Sequence, residues 1–182
     1  MATYKLKMLL LGAAAVGKTS LIQKFIKGRF EKEYKMTIGT DIFTKDLVVK
    51  YNNEDIAVTL SIWDIAGQER FSFFRTAFYK GAVGALIVFD LTRYETFNPG
   101  IVNWLKELWG FTGRIPVVIL GNKNDLKRYR AVKGEDAEKF ANKIASDFME
   151  TSAKTGDHVE EAFSILAHKM VKAMKEKEQN VQ

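Results

Sequence analysis

A loop of small residues, Gly12-Ala13-Ala14-Ala15-Val16-Gly17-Lys18-Thr19-Ser20, joins the apolar run Lys7 to Leu11 to a segment of helical spacing, Leu21 to Ile26. Through Gly12, Gly17, Lys18 and Thr19 it matches G-x-x-x-x-G-K-[ST]. Such a loop can turn its backbone N–H groups onto phosphate oxygens at a helix N-terminus, with a lysine for the β- and γ-phosphates and a hydroxyl for Mg²⁺. The bland alternative is a small-residue strand-to-helix turn whose lysine is solvated. Read as chemistry, the loop implies a nucleoside triphosphate and leaves the base open.

The rest of the chain sets bounds on what surrounds this loop. Its 182 residues suit one domain with a real core, and no linker or internal repeat is visible. Apolar residues make up 47% and charged residues 27%, with two prolines, a globular rather than a disordered composition. No cysteine occurs, so disulfides, thiolate metal sites, cysteine nucleophiles and sulfur-linked lipid anchors are not expected of these residues. The N-terminus lacks the apolar region of a signal peptide and no run is long enough to span a bilayer, so a soluble, cytoplasmic protein is expected. A net charge of +6 suits an anionic ligand. Nucleic acid is disfavoured, because zinc-finger spacing, a basic region with heptads and an aromatic RNA-binding signature are all missing.

Apolar runs of strand length alternate with amphipathic runs of helix length. Strands are expected at Tyr4 to Leu11, Asp41 to Lys50, Ile56 to Trp63, Gly84 to Asp90, Pro116 to Gly121 and Asp147 to Glu150. Helices are expected near Gly17 to Lys27, Glu69 to Lys80, Thr96 to Trp109, Lys133 to Lys143 and Val159 to Lys175. Near-continuous Leu/Ile/Val/Phe strands indicate a mostly parallel α/β sheet covered on both faces. The polar turn Tyr51 to Asp55 is too short for a crossover helix and implies an antiparallel hairpin. The expected fold is a six-stranded mixed sheet, five strands parallel and one antiparallel edge strand, flanked by about five helices.

Ligands of such sheets bind outside the carboxyl ends of the strands. After the third strand, Asp64-Ile65-Ala66-Gly67 offers a carboxylate for Mg²⁺ through water and a glycine N–H for a γ-phosphate; the bland reading is a strand end and turn. After the fifth, Asn122-Lys123-Asn124-Asp125 offers a carboxylate that can accept from both the N1–H and the exocyclic amine of guanine, with a lysine stem to cover the base. Adenine presents no such donor pair. After the last strand, Glu150-Thr151-Ser152-Ala153-Lys154 offers a backbone N–H for guanine O6 and a second lysine stem.

These four motifs, in this order, resemble those of the small GTPases of the Ras superfamily. WDIAGQERF, YKGAVGALIVFDL and NWLKEL are most similar to the Rab branch, and the resemblance covers about Tyr4 to Lys172. It implies the P-loop GTPase fold and a switch that binds GTP or GDP with Mg²⁺ and slowly hydrolyses GTP, in membrane trafficking or signalling. Ala15, Val16, Gly17, Lys18, Thr19 and Ser20 would wrap the phosphates. Thr19, the first-switch Thr37 and Asp64 would serve the metal, Gly67 the γ-phosphate, and Phe30 and Tyr34 the nucleotide's flank. Asn122, Lys123, Asp125, Ser152, Ala153 and Lys154 would hold guanine. Gln68 would orient the attacking water, with Lys18 and Thr37 beside it. Effector, exchange and activating proteins would meet Thr37 to Thr44 and Gly67 to Tyr79, and a monomer is expected.

Three departures carry consequences. Ala14 and Ala15 stand where relatives have glycine, serine or other small residues, and a positive φ at either would cost about 1 kcal/mol. Met36 replaces a common proline, which loosens the first switch. The end, Lys175 to Gln182, lacks the prenylated cysteines of a Rab tail, and a short charged tail is expected from about residue 173. There Lys169, Lys172, Lys175 and Lys177 could favour anionic lipid, offset by Glu176 and Glu178, so a peripheral membrane contact is the secondary expectation. Phe71, Phe73, Phe74, Phe78 and Tyr79 exceed what one short helix buries, which places some of them on a partner-binding surface. His158 and His168 read as helix-surface residues. Two classes remain: a slowly cycling GTPase, favoured by the intact Gln68, and a guanine-nucleotide-dependent binding module in which Ala14 and Ala15 obstruct turnover.

Overall fold

In β1 (Thr3–Leu11), Met8 and Leu10 pack into the core on one side of the sheet and Leu9 and Leu11 into the core on the other, all four fully buried. A strand with both faces covered by helices needs this composition, and the continuous Met-Leu-Leu-Leu run follows from it. The computed structural model describes residues 3–31 and 35–181. Six strands are ordered β2-β3-β1-β4-β5-β6. β1, β3 (Glu54–Ile65), β4 (Ala82–Asp90), β5 (Val117–Asn122) and β6 (Asp147–Glu150) pair in parallel, and β2 (Thr40–Tyr51) lies antiparallel at the edge. This is the expected six-stranded mixed sheet.

The hairpin joining β2 and β3 closes through Asn52 and Asn53, with φ of 49° and 64°, and pairs Tyr51 with Glu54. Left-handed conformation at both central residues marks a type I′ turn, which asparagine tolerates and which matches the strand twist. One face of the sheet is covered by α1 (Lys18–Lys27) and α6 (Val159–Asn180), where Phe25 stacks on Phe163 at 4.1 Å between ring centroids. The opposite face is covered by α4 (Gly100–Thr112) and α5 (Gly134–Lys143), through Ile101, Trp104, Leu105, Ala137 and Ala141.

Three expected helices differ from those observed. The single helix at Glu69 to Lys80 is replaced by 3₁₀ turns at Glu69–Phe71 and Thr76–Tyr79 around a four-residue turn, α2 (Ser72–Arg75). Aromatic residues lose rotamer freedom in a helix, so tertiary anchoring rather than propensity shapes this segment. The helix expected from Thr96 is split into α3 (Tyr94–Phe97) and α4, because Pro99 has no N–H to continue the first and stands as N-cap of the second. The last helix runs past Lys175 to Asn180, so the stretch from 173 is helical. There Lys169 pairs with Asp147 at 2.7 Å and Lys175 donates to the Tyr4 hydroxyl at 3.0 Å, which ties part of the charged end to the sheet.

The tertiary anchor of the 69–79 segment is polar. Arg75, 5% exposed, donates to both Glu107 oxygens at 2.7 Å and lies 4.2 Å from the Trp104 ring, while the buried Tyr79 hydroxyl donates to Glu107 at 2.5 Å. Burial acts to raise the Glu107 carboxyl, yet the hydrogen bonds from Arg75 and Tyr79 outweigh it and hold it below the usual range. Its stabilisation is therefore present above the unfolded carboxyl pKa and lost as pH falls through the lower folded value. Removing the partner of a buried charge is costly, so Glu107→Ala is expected to destabilise the fold by roughly 3 kcal/mol, read as a lower urea midpoint at pH 7.

Candidate functional site

A cleft of about 560 Å³ opens at the carboxyl ends of the parallel strands. It brings together Ala15, Gly17, Lys18, Thr19, Ser20, Phe30, Thr37, Gly67, Gln68, Asn122, Lys123, Asp125, Ala153 and Lys154 in its lining. Asp64, Val16 and Ser152 lie fully buried behind that lining. Tyr34 lies outside the described residues.

At one end stands the glycine-rich loop between β1 and α1. Lys18 is 6% exposed and its Nζ donates to the carbonyls of Gly12 and Ala13 at 2.7 and 2.8 Å, which folds the loop around the ammonium. Burial lowers its pKa to about 8, with the Asp64 charge opposing and Arg75 adding to the fall. Gly17 has φ of 102°, and a Cβ there would meet Asn122 Nδ2 at 2.3 Å, so the turn into α1 needs glycine on both counts. Of Ala14 and Ala15, it is Ala15 that has a positive φ, 63°, a strained setting for an L-residue.

Three oxygens converge beside this loop. The Thr19 hydroxyl donates to Asp64 Oδ2 at 2.5 Å, and the Thr37 hydroxyl lies 3.0 Å from that of Thr19 and 3.5 Å from Asp64 Oδ2. Asp64 Oδ1 is buried without a partner among the described residues. Burial raises the Asp64 carboxyl from its usual value, opposed chiefly by the Thr19 hydrogen bond and the Lys18 charge. An orphaned buried carboxylate oxygen beside two hydroxyls is a hard-oxygen donor set that suits a small divalent cation such as Mg²⁺. Gly67 follows in the loop after β3, where an added Cβ would lie 2.2 Å from Gly12 O and 2.5 Å from Ala13 C. The second loop thus sits against the first with room only for glycine. The segment that carries Thr37 is drawn in as well: Ala66 N–H donates to Gly39 O at 2.9 Å.

The other end is organised by Asn122. Its Nδ2 donates to Val16 O at 2.9 Å, while its Oδ1 accepts from the Thr151 hydroxyl at 3.1 Å and Ala153 N–H at 3.3 Å. A residue read from sequence as part of a base-binding motif therefore fastens three loops together. Ser152 donates from its hydroxyl to Asp125 Oδ1 at 2.7 Å and so fixes the carboxylate from behind. Lys123, at φ 70°, pairs with the fully buried Asp90 at 2.7 Å. Sequence reasoning missed Asp90, although a carboxylate ending the run Gly84 to Phe89 was a readable signal. It also missed Arg93, whose Nη1 donates to Ala14 O at 2.9 Å and which nothing in spacing singles out.

Phe71, Phe74 and Phe78 are half-buried, Tyr79 is buried and Phe73 is 82% exposed, so the aromatic group divides between core and surface. His158 caps α6 from an exposed position and His168 lies exposed on that helix. No described helix is long and apolar enough to cross a membrane.

The fold and the contents of this cleft define a P-loop nucleotide-binding protein of the GTPase type: a lysine-bearing glycine loop at one end, a carboxylate fixed by Ser152 at the other. The family model described as Ras family matches residues 7–172. Among curated relatives, the Ras-related protein RABA1c of Arabidopsis thaliana is 45% identical over 162 residues, 88% of this chain and 73% of the relative. Rab11B of Nicotiana tabacum is 44% identical over 162 residues, 88% and 72% of the two chains, and RABA4b of Arabidopsis thaliana is 42% identical over 164 residues, 90% and 71%. The chain belongs to the Ras family, as a Rab-like small GTPase that binds guanine nucleotide, hydrolyses GTP and works as a switch.

Proposed function

We propose that the 182 residues form one GTPase domain in which this cleft holds GTP or GDP with Mg²⁺, its two switch segments reporting the nucleotide to partners in membrane trafficking. The observation that carries the reading is the meeting, in one cleft, of Lys18 and the Thr19–Thr37–Asp64 cluster with the Ser152-fixed Asp125. Gly12 to Ser20 cradle the phosphates and Lys18 meets the β- and γ-oxygens. Thr19, Thr37 and Asp64 hold the metal, which when bound neutralises charge on the phosphates. Asp125 accepts from the guanine edge, Lys123 and Lys154 lay their stems along the base, Ala153 N–H faces its O6, and Phe30 packs at its side. Tyr34 serves the same flank.

Thr37 and Gly67 are the residues through which a γ-phosphate orders the two switches, since each already contacts the phosphate-loop region. Ile38, Ile42 and Phe73, exposed by 70%, 53% and 82%, supply apolar area for effector, exchange and activating proteins beside those switches. The protein acts as a monomer, in the cytoplasm or at a membrane surface.

Gln68 lines the cleft next to Gly67, and its amide accepts from the attacking water while donating to developing charge, a positioning task. Single-turnover loss of bound GTP is expected to slow roughly tenfold or more in Gln68→Leu with nucleotide binding retained. Tight binding with equally negligible loss in both proteins would leave the non-cycling module instead. ATP serves as the binding control, and equal affinity for ATP would remove the guanine reading.

A further inference from the structure

We infer that Arg93 is a positioning residue that presets the peptide between Ala14 and Ala15, aiming the Ala15 N–H at the phosphate side of the cleft; the inference rests on the nucleotide reading above. In a planar trans peptide the carbonyl of one residue and the N–H of the next point in opposite directions. Arg93 Nη1 takes the Ala14 carbonyl at 2.9 Å. Ala14 and Ala15 line the cleft and Arg93 does not, so the carbonyl faces away from the cleft and the Ala15 N–H faces into it.

This orientation is the strained one for the residue present. Ala15 holds φ of 63°, which only glycine adopts freely. Rotating the 14–15 peptide plane by half a turn would return Ala15 to negative φ and relieve the strain. It would also point a carbonyl oxygen, instead of an N–H, at the bound phosphates. An alanine at this position therefore favours the wrong peptide, and a guanidinium on the carbonyl opposes the flip.

Arg93 is built for the task. Its N–H donates to Asp90 O at 3.0 Å, and its carbonyl accepts from the buried Thr96 hydroxyl at 2.7 Å, which fixes the root of the side chain at the end of β4. Glu95 accepts from its Nε at 3.1 Å and steadies the guanidinium. A charged donor to a neutral carbonyl is among the stronger hydrogen bonds and is directional enough to select one peptide orientation.

The test measures the rate at which a non-hydrolysable GTP analogue leaves wild type, Arg93→Ala and Arg93→Lys, each with and without Ala15→Gly. Arg93→Ala is expected to release it roughly 5- to 10-fold faster, the size of one lost charge-assisted hydrogen bond, and Arg93→Lys to recover part of that loss. In the Ala15→Gly background the same Arg93→Ala change is expected to matter by less than about twofold, since glycine holds positive φ without support. Unchanged release in Arg93→Ala, or an equal acceleration in both backgrounds, would overturn the inference, the latter marking a generic role in the loop. Absence of guanine-nucleotide binding by wild type would overturn the nucleotide reading itself and this inference with it.

Discussion

Asp125→Asn is expected to weaken guanine-nucleotide binding by roughly a hundredfold or more while improving the binding of xanthine nucleotides, measured by displacement of a fluorescent nucleotide. As a carboxylate, Asp125 can accept from two donors, and guanine presents two, the N1–H and the exocyclic amine. A carboxamide keeps one acceptor and turns a donor toward the second, so a charge-assisted bond is lost and two donors are brought together. Each such loss is worth about 1.5–3 kcal/mol, and every 1.4 kcal/mol is tenfold in affinity. Xanthine carries an oxygen where guanine carries the amine, so the new amide finds a matching acceptor. The change is cleanly local, because the Ser152 hydroxyl that donates to Asp125 Oδ1 at 2.7 Å can donate equally to an amide oxygen. Unaltered guanine affinity would take Asp125 out of base recognition.

The sheet and the strand-end motifs were legible in the sequence because both are written in local chemistry. Parallel strands buried on two faces show as apolar runs, a hairpin too short for a crossover shows as a polar turn, and Gly-Lys-Thr after a strand shows its purpose by spacing. What escaped was non-local. The helix expected at Glu69 to Lys80 has its form set by Arg75 and Tyr79 meeting Glu107, about thirty residues away along the chain, and no window of sequence contains that ion pair. The break at Pro99 is local chemistry, masked in the sequence by the helical spacing of the residues on either side of it. In the site, spacing singled out Asp125, Lys18, Asn122 and Ser152 as residue types, whereas the bonds among them and the supports from Asp90 and Arg93 were not readable. Asn122 was read as part of the guanine motif, and no spacing shows that its amide also bonds Val16, Thr151 and Ala153.

The two ends of the cleft differ in how the protein fixes them. The base end is pinned by side chains whose partners are all protein: Asn122 to the loops of Val16 and of Thr151 to Ala153, Ser152 to Asp125, Lys123 to Asp90. The phosphate end is packed tightly but left electrostatically incomplete, with Asp64 Oδ1 orphaned and the Ala15 backbone strained. On the proposed reading a cation and an anion supply what is missing there. On that reading the phosphate end is the one that responds to what is bound and the base end the one that holds the ligand in either phosphate state.

Divalent-metal removal follows from the same asymmetry. Adding EDTA to wild type loaded with GDP is expected to speed nucleotide release roughly 10- to 100-fold, the equivalent of about 1.4–2.8 kcal/mol of charge-assisted contact. Asp64 is fully buried, and one of its oxygens has no partner among the described residues, so Thr19 and Lys18 compensate its burial only in part and a facing cation would complete it. Asp64→Asn removes the charge while preserving an acceptor for the Thr19 hydroxyl, now 2.5 Å from Asp64 Oδ2. The variant is therefore expected to fold, and even to resist thermal unfolding better than wild type when both are free of nucleotide and metal, because a costly buried charge is gone. With magnesium present it is expected to release GDP as fast as wild type does in EDTA, and EDTA is expected to change its rate little. The two measurements separate roles: a rate that stays slow and magnesium-dependent in Asp64→Asn would show that the metal is held elsewhere, whereas a variant less stable than wild type would make Asp64 part of the scaffold. The expected pair, faster release together with a firmer empty protein, belongs only to a residue kept in an unfavourable place for the sake of its ligand.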